Sequence, residues 1–222
     1  MKLVKGAGSE KGGACWMSAL HYYTREDRSW SDAAPWACVS PVIRALCIRL
    51  NDMCDDGERE SLIGPHLFEP LGTATGIEDE RRRAFMVADT AIHAFAPIRM
   101  RATGRPDLAE RMEGIPAVVD RNSAIVARDA AYKIRAAAAA AAAYDAAYDA
   151  AAAAYAAAAY DDAAAAAAYA AACDAAYDAA ARKQIKPLLL DLILRCCAVG
   201  ERKEVAEACS RERVLEMLEC GS

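Results

Sequence analysis

The stretch AAAAAAAAYDAAYDAAAAAYAAAAYDDAAAAAAYAAACDAAYDAAA, residues 136–181, decides the fold class. Of its 46 residues 33 are alanine, and the rest are Tyr, Asp and Cys173. Neither Gly nor Pro interrupts the chain from Asn122 to Lys186. Alanine has the highest intrinsic helix propensity, so this span is expected to be helical without tertiary support. On a wheel at 100° per residue with Tyr144 at zero, Tyr148, Tyr155, Tyr169, Cys173 and Tyr177 fall between about −20° and +60°. Asp145, Asp149, Asp174 and Asp178 follow between about 100° and 160°, with Tyr160 at their edge, and the opposite face is almost pure alanine.

Stripes at helical spacing usually pack, so the tyrosines are first expected to seat the helix on the domain or on a partner chain. The competing expectation is a binding surface on which rings stack and paired Asp residues attract cations. Tyr144, Tyr148, Tyr155, Tyr169, Tyr177, Asp145, Asp149, Asp174 and Asp178 are therefore the candidate binding residues. Like charges one turn apart destabilise an isolated helix slightly, and we read these Asp pairs as solubility devices rather than a metal site. Lys133 and Arg135 would oppose the positive end of a helix dipole if the helix began at the alanines, which moves its expected start back to Asp120–Ser123. Arg182, Lys183 and Lys186 suit its C-terminal end. An unbroken helix of this span would be about 95 Å long, so it must project, bend back or pair with a copy of itself.

Working outward, the apolar fraction of 55% is inflated by alanine, whose methyl buries little surface. The formal charge is −5, but the tract holds six Asp and no basic residue, which leaves +1 on the other 176 residues. No basic field suited to nucleic acid remains. Nine scattered cysteines, including the adjacent Cys196 and Cys197, do not read as a disulfide framework. A reducing compartment follows, and with no apolar signal core in MKLVKGAGSEKGG the expected location is the cytoplasm. The uncharged runs of the tract reach 11 residues, against the roughly 20 needed to cross a bilayer.

Before the tract, CWMSALHYY places Cys15, Trp16, Ala19, Leu20 and Tyr23 at helical spacing. SPVIRALCIRLNDMC has Ser40 as N-cap, Pro41 at the helix start, and Ile43, Leu46, Cys47, Leu50 and Cys54 on one face. A short helix is expected over 58–63, ended by Gly64-Pro65, followed by a loop over 69–76. Phe85, Ala88, Ile92 and Phe95 form a further helical stripe, stopped by Pro97. After Pro187, LLLDLILRCCAVG reads as a buried helix ending at Gly200, and a final amphipathic helix closes the chain. No strand pattern of useful length occurs, so the expected class is all-α.

The string with most catalytic character is Gly13-Ala14-Cys15-Trp16, which matches part of the signature around papain-type nucleophiles. Gly12 stands at that signature's first cysteine, no Gln precedes it for an oxyanion hole, and His21, His66 and His93 lack the downstream spacing. A buried cysteine at a helix start is the preferred reading, with Cys15 as the one catalytic candidate. There is no C-x-x-C, and GAGSEKGG lacks the order of a phosphate loop, so neither metal nor cofactor is expected.

Gly13-x-Cys15-x-Met17, Trp30-Ser31-Asp32, Cys38-Val39-x-Pro41-Val42-Ile43, Asn51-Asp52, ERRRAFMVAD and FAPIRMRA together resemble a family of uncharacterised alanine-rich proteins of bacterial and phage genomes. The likeness covers about residues 10–120. Members carry a His after the Ser-Asp where this chain has Ala33-Ala34, so a proton-transfer role built on that His does not carry over. The resemblance implies no activity, and through its phage setting it implies a role in host and phage conflict.

The sequence thus predicts an all-α protein with an N-terminal helical domain (1–119), a long Ala/Tyr/Asp-rich helix (120–186) and a C-terminal helical pair (187–222). The expected function is non-enzymatic binding or scaffolding, as a homo-oligomer or with a protein partner, through the alanine-rich helix and its alanine face, without nucleic acid or membrane. The alternative is a small-ligand binder or cysteine-dependent enzyme with a pocket at Cys15, Asp32, Cys38, Asn51 and Asp52.

Overall fold

The structure is a computed structural model that describes residues 2–5, 8–9, 13–24, 38–137, 147–148, 150–155, 157 and 179–201. The fold is all-α apart from the two-residue strands β1 (Gly8–Ser9) and β2 (Gly13–Ala14), which pair antiparallel. By contact the chain divides into two compact units, Met1–Gly76 with Ile193–Ser222, and Ile77–Leu192. This grouping sets residues 77–119 with the alanine-rich segment rather than with the N-terminal helices.

In the first unit the N-terminus runs beside β2: Val4 N donates to Ala14 O at 2.9 Å and Ala14 N to Lys2 O at 3.0 Å. Gly13 is at φ +97, and a Cβ there would lie 2.5 Å from Lys2 O, so the close approach requires glycine. Helix α1 (Trp16–Thr24) follows and buries Trp16, Ala19 and Leu20. Helix α2 (Pro41–Met53) starts as read, with Ser40 Oγ accepting from Ile43 N at 3.3 Å. Its stripe of Ile43, Leu46, Cys47 and Leu50, together with Cys54, is buried. Helix α3 (Asp56–Glu58) opens on a reciprocal cap in which Asp55 and Glu58 each accept the other's backbone N–H at 2.9 Å. It continues as a π turn (Arg59–Ile63) and a 3-10 turn (Gly64–His66), so the helix expected to end at Gly64-Pro65 goes on for one tighter turn. Pro65 sits early in that turn, where its missing donor is not required. The loop over 69–76 is present, and Thr73 Oγ1 anchors it by accepting from Ser40 N at 3.0 Å.

The second unit begins with α4 (Ile77–Thr90), a π turn (Ala91–Phe95) and α5 (Ala96–Ala102). Phe85, Ala88, Ile92 and Phe95 are buried, as their spacing predicts. Pro97 does not stop the helix. The π turn ahead of it moves the bonding register, with Ala96 N reaching Ala91 O, and Pro97 becomes an early residue of α5. Helix α6 (Pro106–Glu113) was not anticipated, although Pro106 at its first position and Gly114 after its last mark both ends. Helix α7 (Arg121–Ala137) starts within the expected window, where Asp120 Oδ1 accepts from Ser123 N at 2.8 Å.

Of the three courses expected for the alanine-rich segment, the described contacts fit bending back. In one continuous helix Arg128 and Tyr155 would stand about 40 Å apart. Instead the Arg128 guanidinium lies 5.9 Å from the Tyr155 ring centroid and that of Arg135 lies 4.5 Å from Tyr148. These contacts step seven residues up one segment and seven down the other, which is the register of an antiparallel helix pair. Ala124, Ala127, Ala131 and Ile134 are buried at steps of three and four, and so are Ala147, Ala150, Ala154 and Ala157. Methyl-lined seams let two helices approach closely, and the described alanines on these two faces are buried within the chain. Lys133 and Arg135 lie in the last turns of α7, where the dipole favours them.

Helix α8 (Ala179–Cys197) runs through Pro187, which the sequence reading placed at a helix start. A proline in a helix interior costs roughly 3 kcal/mol. Burial of Ile185, Leu189, Leu192, Ile193, Cys196 and Cys197 on the two sides of Pro187 outweighs that. Gly200 at φ 80 follows the helix end as predicted. The last expected helix lies outside the described residues. Among those residues no helix is long and apolar enough to cross a membrane, and Cys15, Cys38, Cys47, Cys54, Cys196 and Cys197 are free thiols.

Candidate functional site

Two constellations contain predicted site residues. The first surrounds Cys15 in the first unit. Cys15 is 6% exposed and serves as the N-cap of α1: its carbonyl accepts from Ala19 N at 2.8 Å and its Sγ from Ser18 N at 3.4 Å. Ser18 Oγ lies 3.2 Å from the same sulfur. The next backbone donor, Trp16 N, reaches Asn51 Oδ1 at 3.1 Å, and Asn51 Nδ2 donates to Val4 O at 2.8 Å. Asn51 O in turn accepts from Arg59 Nε at 3.0 Å, and the Trp16 indole N–H donates to Leu67 O at 2.8 Å. One buried amide thus ties the N-terminal segment to the start of α1.

Of the five predicted pocket residues the structure joins Cys15 and Asn51 through Trp16. Cys38 is half-buried and engages another segment, its carbonyl accepting from Ala74 N at 3.1 Å. Asp52 is half-buried, and Asp32 lies outside the described residues. Burial pushes the Cys47 thiol well up, and the electrostatic influence of Cys197, Cys196 and Cys15 adds to it. A thiol held neutral in this way is a poor nucleophile. No group of three or more His, Cys, Asp or Glu among the described residues is arranged to hold a metal ion.

The second constellation is the outer edge of the helix pair. Tyr148 is 46% and Tyr155 is 56% exposed, whereas Ala147, Ala150, Ala151, Ala153, Ala154 and Ala157 are buried. At the described positions methyls face inward and rings outward, so of the two expected seats for the tyrosines the chain's own domain is not the one they take. Bringing two backbones together closely requires the smallest side chains at the seam, which leaves the rings to its flank. The alanine face that was expected to meet a partner is consumed within the chain at these positions. The Arg135 guanidinium lies between two rings, 5.9 Å from Tyr132 and 4.5 Å from Tyr148. Arg128 stands over Tyr155 and also holds Asp129, its Nε donating to Oδ1 at 2.8 Å. Tyr144, Tyr169, Tyr177, Asp145, Asp149, Asp174 and Asp178 lie outside the described residues. The sequence reading passed over Arg128 and Tyr132 and used Arg135 only for its charge. The signal was Arg121, Arg128 and Arg135 at seven-residue spacing.

No protein-family model, no curated protein and no solved structure matches this chain.

Proposed function

We propose that the protein is a non-enzymatic binding or scaffold protein that self-associates through the Tyr/Arg edge of its alanine-rich helix pair. The observation that carries this reading is the exposure of Tyr148 and Tyr155, two turns apart, each with a guanidinium at its ring. Aromatic and arginine side chains dominate the energetics of protein interfaces, and here they are held by a framework whose own core is made of alanine. The edge carries both halves of a cation–π contact, so a second copy across a two-fold axis presents Arg to Tyr and Tyr to Arg. A role in host and phage conflict, the setting of the proteins this chain resembles, fits such a surface. The Cys15-centred enzyme or ligand pocket has less behind it, because the Cys15 sulfur and the Asn51 amide are already used by internal hydrogen bonds.

Sedimentation of the full chain from micromolar to submillimolar concentration tests the proposal. The parent should populate a dimer, and the Tyr148→Ala/Tyr155→Ala variant should sediment as a monomer with unchanged helix content. A parent that stays monomeric throughout, or a variant that dimerises like the parent, overturns self-association through this edge.

A further inference from the structure

Outside both constellations, one histidine in the second unit is placed so that a neutral ring cannot satisfy its surroundings. His93 lies in the π turn between α4 and α5, its side chain 25% exposed. Its Nδ1 is 3.0 Å from the Asp89 carbonyl oxygen and 3.0 Å from Asp89 Oδ1. Its Nε2 is 2.7 Å from the carbonyl oxygen of Ile115. All three partners are acceptors. A neutral imidazole has one N–H and one lone pair, and only the imidazolium donates from both nitrogens. Asp89 Oδ1 also accepts from Val118 N at 2.8 Å. Asp89 and His93 together therefore hold both ends of the segment 115–118, which leads from α6 into α7 and buries Ile115 and Val118.

Two carboxylates, one of them paired with an arginine, lie around the ring. Asp89 is on α4, and Glu113, at the end of α6, is within electrostatic reach of the ring. Glu113 is itself paired with Arg101 of α5, at 2.6 and 2.7 Å. That arginine, through its hydrogen bond first, holds the Glu113 carboxyl below the usual carboxylate range, so it is ionised throughout the range in which imidazoles titrate.

We propose that His93 is a pH-sensitive latch: as imidazolium it clasps the α6–α7 segment between Asp89 and Ile115, and its deprotonation releases one of the two contacts and loosens the seat of α7. The imidazolium bonds Asp89 through Nδ1–H and Ile115 O through Nε2–H. Loss of either proton turns one attractive contact into a lone pair facing an oxygen at 2.7 or 3.0 Å. The latch rests on groups separate from the Tyr/Arg edge and stands whether or not that edge binds a second copy.

Two measurements on the full chain test it. Nitrogen-detected NMR of the imidazole at pH 5.5 should show both ring nitrogens protonated. Hydrogen exchange at the Val118 amide, corrected for the intrinsic effect of pH, should lose about tenfold of its protection between pH 5.5 and 8. In His93→Gln, which offers a single neutral donor group, and in Asp89→Asn, which keeps an acceptor without the charge, that loss should shrink to less than twofold. A ring that is neutral at pH 5.5, or Val118 protection in the parent that does not change with pH, overturns the latch, and both readouts are available without any variant.

Discussion

Around Asn51 the polar atoms are inside and are met from within the chain, with Trp16 N, Val4 O and Arg59 Nε each bonded to one part of the same residue. Along residues 147–157 the arrangement is reversed, with the smallest side chains inside and the rings of Tyr148 and Tyr155 outside. Both regions carry residues that a sequence reader would single out for chemistry. The difference lies in what is left over once the fold is made. In the first, the amide is consumed in joining elements remote in sequence and the thiol in capping its own helix. In the second, alanine methyls make the join, and the rings of Tyr148 and Tyr155 remain at the surface with Arg128 and Arg135 half-buried beside them.

The largest expected effect comes from breaking the buried side of this comparison. Asn51→Ala leaves the Trp16 N–H and the Val4 carbonyl without their partner, which should cost about 1–3 kcal/mol for the buried N–H and a smaller amount for the half-buried carbonyl. Urea unfolding measures it, and a loss below about 1 kcal/mol would mean that the amide is not what joins these segments. Next in size is the alanine seam. Ala131 is fully buried, and Ala131→Leu should force the two helices apart at a cost of about 1–3 kcal/mol. A neutral or stabilising result in the same titration would show that the seam has spare volume.

On the exposed edge the expected change in stability is smaller. Truncating Tyr148 and Tyr155 to Ala removes two cation–π contacts worth about 0.5–1 kcal/mol each at exposed sites, and improved helix propensity returns part of that. The pair should therefore shift unfolding by less than about 1 kcal/mol while abolishing association. A loss of several kcal/mol would mean that the rings seat the helix after all.

Much of the fold was legible in the sequence. The buried stripes of α2 and of the α4–α5 region follow from spacing alone, and Asp120–Ser123 marks the start of α7 because a capping side chain is a local feature. The return of the chain at the alanine-rich segment was legible only as one of three courses open to so long a run. A run without Gly or Pro contains no local stop signal, and alanine is as suited to a close helix seam as to an exposed rod. Lys133 and Arg135 did carry the message, as cations that close a helix, but they can equally be read as cations that oppose a helix start. The link between Cys15 and Asn51 was out of reach for another reason. Cys15 and Asn51 were both candidates, but their joining through the backbone of Trp16 is a product of packing. The outward tyrosines required knowing which side of the wheel is buried, and a stripe of rings beside a stripe of methyls does not decide that.

The smallest effect sharpens the comparison through pH. Asp120 caps α7 at the surface, accepting from Ser123 N and Ser123 Oγ at 2.8 Å. The backbone bond from Ser123 first, and its side chain next, hold the Asp120 carboxyl below the usual carboxylate range. A carboxyl lowered by folding contributes stability that is complete above its unfolded value of about 3.9 and is lost as pH falls through the lower folded value. Asp120→Asn keeps an acceptor at the cap and removes the titration. Its thermal midpoint should lie about one to two degrees below the parent at neutral pH, and the gap should narrow as pH falls below the unfolded value. Other acid-sensitive groups, such as the Glu113–Arg101 pair, are common to both proteins and cancel in the difference. The loss in Asn51→Ala involves no ionisable group and should be the same at every pH at which both proteins fold. Parallel curves for Asp120→Asn and parent from pH 2 to 7 would show that the cap acts by geometry alone, and would leave no electrostatic distinction between the surface cap and the buried amide.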